Sequence, residues 1–152
     1  MNTGFGSGEQ WDAQYDEMSD GWKLFLLNLQ LHLEHFRGQV GMAMLPTATW
    51  DGTRRSAWAA LIRALGIPES PTIGERIVVS ASDAPALSGT VVDAAAWRLA
   101  LLLDGPCPGT AFLAAEGTGV SIWSYLYGPD RCLVAARDEP RWRHWLAEHA
   151  TL

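Results

Sequence analysis

The run HLEH places His32, Glu34 and His35 side by side in the chain. Two imidazoles at i and i+3 share a helix face and could hold a metal ion between them. No third ligand lies near in sequence and the HExxH spacing is absent. A position close to a helix C-terminus also gives a histidine a structural role through the helix dipole. The structural role is the simpler reading, so no metal is expected. His144 and His149 are too far out of phase to share a helix face and read as surface residues. Nucleophilic chemistry finds little support: GxSxG is absent, and Ser80 and Ser88 lie in ordinary strand contexts. Cys107, in the run PCPG, has no flanking histidine. It shares no CxxC spacing with Cys132, the other cysteine. A disulfide between them stays open, although free thiols are expected in a reducing cytosol. The GFGSG run lacks the preceding strand, the GxGxxG spacing and the P-loop lysine, so it reads as a turn rather than a phosphate cradle. No catalytic residue and no cofactor is expected.

Aromatic side chains make the better candidate. Trp123, Tyr125 and Tyr127 alternate along one segment, with Trp97 and Phe112 on neighbouring strands and Trp22 and Phe25 on a long helix. Apolar walls with a few hydroxyls are what small-molecule pockets use. The competing reading is that the same side chains form the core beneath the long helix. Arg98 or Asp93 pointing inward would favour a ligand, because a charged group facing an apolar space needs a partner.

The element that must position these residues is the stretch 9–36. Trp11, Tyr15, Met18, Trp22, Phe25, Leu29, Leu33 and Phe36 fall in steps of three and four, which puts one stripe along a single amphipathic helix. Each large apolar side chain gains about 1.5–3 kcal/mol on burial, so this stripe predicts a broad apolar partner, most simply a sheet. Gly21 costs helix stability, but the stripe keeps its phase through Met18 and Trp22, so one continuous helix is predicted. Gly38 then supplies the stop signal. Residues 1–8 read as a flexible or turn-like lead-in anchored by Phe5.

Residues 38–52 carry glycines and a proline without a sustained period and read as an apolar connection lying against the body of the protein. Thr53 caps a second helix, 54–65, ended by Gly66 and Pro68. From Gly74 the period changes to two. Strands are predicted at 76–80, 87–94, 97–103, 110–115, 120–127 and 131–135, joined by short turns that imply an antiparallel meander. A short last helix is expected after 135, with Asp138 as cap and Pro140 in its first turn. Together these predict one α+β unit over 1–152: about six strands between a long N-terminal and a short C-terminal helix.

The charge and hydropathy patterning exclude several partners. A formal net charge of −6, with no basic run to offset it, argues against nucleic acid. The apolar runs are far shorter than the roughly 20 residues of a membrane span, and the first residues lack the basic and apolar regions of a signal peptide. A cytoplasmic location is the expectation.

The segment TGFGSGEQWDAQYDEMSDGWKLFLLNLQLHLEHF, residues 3–36, resembles the C-terminal region of the SRPBCC, or START-like, superfamily. It is most similar there to activator of ninety-kilodalton heat-shock-protein ATPase homologue-like proteins. The resemblance rests on the TGFG turn, the Gly21–Trp22 pair and the leucine-rich end. It implies a helix-grip fold, in which an antiparallel sheet curls around a long helix and leaves a cavity for hydrophobic ligands, and a role related to stress response. In that family the long helix comes last, whereas here it comes first, and residues 53–152 carry no motif of similar specificity. Either Met1 begins downstream of a full START-like domain, or the family's last helix has been reused to cover another sheet.

The resemblance and the aromatic strand together predict a non-enzymatic START-like protein binding a hydrophobic small molecule between sheet and long helix. Trp97, Phe112, Trp123, Tyr125, Tyr127, Trp22 and Phe25 would line that groove. The alternative is a co-chaperone-like interaction module, or a homodimer, using the aromatic surface. Cyclase or hydrolase chemistry, known among START-like relatives, finds no acid and base pair here.

Overall fold

In the computed structural model, residues 9–116 and 119–150 are described, with side chains from Trp22 onward, and the counts and absences below refer to these residues. The lead-in 1–8 and the side chains of Trp11, Tyr15 and Met18 lie outside them. The elements run α1 (Glu9–His35), β1 (Met42–Met44), β2 (Thr47–Thr49), α2 (Arg54–Leu65) and β3 (Arg76–Val78). There follow β4 (Ser88–Ala95), β5 (Arg98–Gly105), β6 (Gly109–Glu116), β7 (Gly119–Leu126) and α3 (Arg131–His149). The fold is α+β, an open seven-stranded antiparallel sheet with three helices in a helix-grip-like arrangement.

The strands are ordered β1-β7-β6-β5-β4-β3, and β2 also pairs with β7. Strand periodicity sends alternate side chains to opposite faces. Leu99, Leu101, Ala111, Leu113, Val120 and Ile122 join the larger core with α2 and α3. Ala100 and Phe112, on the other face, join Leu31 of α1 in a smaller cluster. The sheet is therefore buried on both faces, which is why β5 and β6 read as nearly continuous apolar runs.

The second helix forms as its sequence predicts. Thr53 accepts a hydrogen bond from the Ser56 amide at 3.0 Å, capping the first turn. Gly66 ends it at φ 72, in the left-handed region that a side chain disfavours. A Cβ there would also collide with the Ser80 hydroxyl. Ala57, Leu61, Ile62 and Leu65 form the buried face.

Two segments differ from the sequence expectation. The connection 38–52 contains β1 and β2, an edge strand split at Pro46. Proline donates no ladder hydrogen bond, but its carbonyl still accepts from the Ile122 amide at 3.1 Å, so pairing with β7 continues across the break. Residues 131–135, expected as a strand, are the start of a 19-residue α3, longer than the short helix predicted. Val134, Ala135, Asp138, Trp142, Trp145 and Leu146 are buried along one helical face. Pro140 sits inside this helix rather than in its first turn. Ala136, whose carbonyl loses its helical donor to Pro140, is exposed and can be hydrated. Asp138, expected as a cap, is instead a buried mid-helix carboxylate.

Candidate functional site

The C-terminal half of α1 lies across the sheet at two polar contacts set among apolar ones. Thr110 Oγ1 of β6 donates to Asn28 Oδ1 at 3.0 Å. Just past β7, the Tyr127 hydroxyl and His32 Nδ1 are hydrogen-bonded at 2.9 Å. Between and beside them Leu31, Ala100 and Phe112 are buried, with Leu24, Leu27, Val92 and Tyr125 packed around them. Phe36 caps the end of the interface, its ring stacked on Tyr127 with centroids 4.1 Å apart.

Of the residues expected to line one groove, the structure gathers only some. Phe112 and Tyr125 meet edge to face with centroids 6.2 Å apart. Trp123 shares their sheet face, half-buried, and donates from Nε1 to Thr47 Oγ1 at 3.1 Å. Tyr127 completes the row. Burial raises the hydroxyl pKa of both Tyr125 and Tyr127, with Tyr125 a lesser cause at Tyr127. Both are neutral donors at physiological pH. The space under α1 is filled by Leu31 and Phe112, which are 4% and 3% exposed.

Trp97, Trp22 and Phe25 are elsewhere. Trp97 occupies the turn between β4 and β5 and packs on the opposite face, against the larger core. The Arg54 guanidinium lies 4.7 Å from its ring centroid. Trp22 and Phe25, expected to face the groove, point outward, with Leu26, Leu29 and Leu33, and these five are 46% to 62% exposed. The Trp22 and Phe25 rings meet edge to face with centroids 5.7 Å apart. The helix carries two apolar stripes, and the narrower one, through Leu24, Leu27 and Leu31, meets the sheet. The 3.6-residue period reveals both stripes but not which one finds the sheet.

His35 and the two charges Arg98 and Asp93 each have a partner close by. His35 lies 3.8 Å from Glu34, and no group of three or more His, Cys, Asp or Glu among the described residues is placed to hold a metal. Arg98 and Asp93 pair with each other at 3.2 Å instead of leaving a charge facing an apolar space. Both cysteines are free. No helix among the described residues is long and apolar enough to cross a membrane.

A cleft of about 700 Å³ lies between α2, the loop that follows it and the β4–β5 turn, a site that no motif in the sequence marks. The available signal was the α2 series Arg55, Trp58, Ile62 and Arg63, which lies on one helical face.

Comparison with protein-family models and with curated proteins finds no match. Among solved structures, the chain is similar to the crystal structure of protein MLL2253 from Mesorhizobium loti, with 15% identity and a TM-score of 0.52. The match covers 71% of this chain and 96% of that one. At this identity the likeness is one of fold alone, over the matched part of the chain.

Proposed function

We propose that this chain is a non-enzymatic START-like protein that pairs with a second copy of itself through the outward face of α1. The observation that carries the proposal is the exposure of Trp22, Phe25, Leu26, Leu29 and Leu33 on one helix, although α1 already buries another stripe against its own sheet. A contiguous apolar patch of large side chains marks an interaction surface. In the sequence, steps of four and three continue unbroken from Trp11 to Leu29. That is the heptad spacing of a helix that packs against another helix.

Charge favours an antiparallel pair. The sequence of the first half of α1 carries Glu9, Asp12, Asp16, Glu17 and Asp20 and no basic residue, whereas the second half and its end carry Lys23 and Arg37 against one carboxylate, Glu34, with His32 and His35 beside it. A two-fold axis across the helix sets the acidic half of one copy beside the basic end of the other, twice over. Parallel pairing would instead juxtapose the acidic halves.

Light scattering coupled to size exclusion tests this. Wild type is expected to elute as a dimer, and Phe25→Glu and Leu29→Glu as monomers that keep their melting temperature, since both positions are exposed. A wild-type monomer at tens of micromolar would remove the proposal.

A second reading keeps a hydrophobic small molecule between sheet and α1. It is favoured by the half-buried Trp123 and Tyr125, which carry the apolar sheet face past the cover of Leu31. A ligand there must displace packed side chains. The Phe112→Ala variant is therefore expected to bind an apolar fluorescent probe more tightly than wild type does, and equal binding would discard this reading.

A further inference from the structure

We propose that the cleft between α2 and the β4–β5 turn binds a small anionic amphiphile: a flat apolar body carrying a carboxylate. The site shares no residue with the α1 surface and stands independently of self-association. Its volume, about 700 Å³, lies within the usual range for small-molecule sites.

The two walls supply different halves of the recognition. On α2, Trp58 and Ile62 are flanked by Arg55 and Arg63, and all four line the cleft. Across from them stand the alanine-rich end of β4 and Trp97. Trp58 and Trp97 are each packed partly against the core, leaving the rest of each ring to the cleft. Two indoles facing one space favour a flat apolar guest.

Trp97 is held there at some cost. Its φ of 64 lies in the left-handed region, where a bulky residue is an outlier and glycine or asparagine would be the ordinary choice for a turn. Such conformations persist where the surroundings over-determine them, and they cluster at functional sites. Here the Arg54 guanidinium covers the ring, and the Trp97 carbonyl accepts from the Ala115 amide at 3.0 Å.

Charge selects the head group. Arg55 and Arg63 are exposed at the cleft and have no ion partner among the described residues. Arg98 is also in the lining but is paired with Asp93, and Glu69 is an opposing carboxylate in the same lining. The chain as a whole is at −6, so an anion is drawn to this place by the two arginines of the lining and not by the general field. Planar guanidinium groups match a carboxylate through paired charge-assisted hydrogen bonds.

Calorimetric titration with naphthoate and with its neutral analogue naphthylmethanol tests the site in the full chain. Naphthoate is expected to bind saturably at one site, and the R55A/R63A variant to lose at least about tenfold of that affinity. The weaker binding of naphthylmethanol should be unchanged in R55A/R63A, whereas Trp58→Phe should weaken both ligands. Circular dichroism melts establish that each variant is folded, and the two arginines are exposed enough to be removed without disturbing the core. The Phe25→Glu variant should bind naphthoate as wild type does. No saturable binding at millimolar naphthoate, retention of affinity in R55A/R63A, or loss of it in Phe25→Glu would each overturn the proposal.

Discussion

The Tyr127 hydroxyl is hydrogen-bonded to His32 Nδ1 at 2.9 Å, joining the residue just past β7 to the last turn of α1. With Phe36 stacked on the same ring at 4.1 Å, Tyr127 is the clamp that holds α1 to the sheet. Tyr127→Phe keeps the stack and removes the hydrogen bond, and should cost about 1 kcal/mol in chemical denaturation. Tyr127→Ala removes both and should cost about 3–5 kcal/mol, the range for deleting a large buried ring. Amide exchange should then rise in α1 before it rises in β5 and β6. Equal stability of the two variants would mean that the stack contributes nothing.

How far this arrangement was legible depended on what kind of signal each element carried. The second helix was readable at both ends because Thr53 and Gly66 are local signals whose partners, the Ser56 amide and the helix's own carbonyls, lie within one turn. The two faces of β7 were readable because Ile122 and Trp123 differ in type and strand alternation needs no tertiary information. The edge strand was hidden by Pro46, since its pairing depends on β7, far away in sequence. Residues 131–135 misled because a short apolar run has no period of its own. The helix emerges only when Val134 is set in phase with Asp138, Trp142 and Trp145. The aromatic stripe of α1 is plain in the sequence, but its destination is not. Leu24, Leu27 and Leu31 win the sheet because Asn28 and His32, beside them, meet Thr110 and Tyr127, complementarity that periodicity cannot express. The cleft joins α2 to a turn some thirty residues later, a juxtaposition that only the folded sheet creates.

The two thiols should report very different environments. Burial, and secondarily the Asp130 carboxylate, pushes the Cys107 thiol up from its ordinary range, whereas Cys132 is exposed near the start of α3. The thiolate is the reactive form. An aromatic disulfide reagent at pH 8 should therefore titrate one thiol per native chain quickly and the second only after denaturant is added. Cys132→Ser should abolish the fast phase. Two fast equivalents in wild type would contradict the burial of Cys107.

Asp138 is 1% exposed, yet its carboxylate meets two guanidinium groups that are themselves more than half exposed. Arg137 grips both oxygens, at 2.7 and 2.9 Å, and Arg141 adds a contact at 3.2 Å. Removing the arginines strands a buried charge, whereas removing the carboxylate leaves charges that water can solvate. The Arg137→Ala, Arg141→Ala double variant should lose about 3–5 kcal/mol, and Asp138→Asn about 1–2 kcal/mol. Arg137→Ala alone should cost more than Arg141→Ala, because only Arg137 is bidentate. Thermal melts of the four variants give the order, and a reversed order would mean that the arginines act through packing rather than charge.

At the opposite edge of the sheet Asp104 joins three strands. Ser88 Oγ donates to it at 2.6 Å, and Arg76 reaches it with Nε and a terminal nitrogen, both at 3.1 Å. The Ser88 hydrogen bond, then the Arg76 interactions, hold its carboxyl below the ordinary value of 3.8. A carboxylate with a depressed folded pKa contributes stability above its unfolded pKa, and that contribution is lost as pH falls through the folded value. The window therefore opens near pH 4 and extends downward. Because the Asp104 side chain is half exposed, solvent screening limits the contribution to less than about 1 kcal/mol. Asp104→Asn should flatten that part of the acid limb in denaturation curves without changing stability at pH 7 by more than this amount. Ser88→Ala should have a larger effect on the limb than Arg76→Ala. The two should also respond differently to salt: at about 0.5 M sodium chloride the Debye length falls below 5 Å. The Arg76→Ala effect should then shrink while the Ser88→Ala effect persists. An acid limb unchanged in Ser88→Ala would show that the hydroxyl does not set the charge state of Asp104.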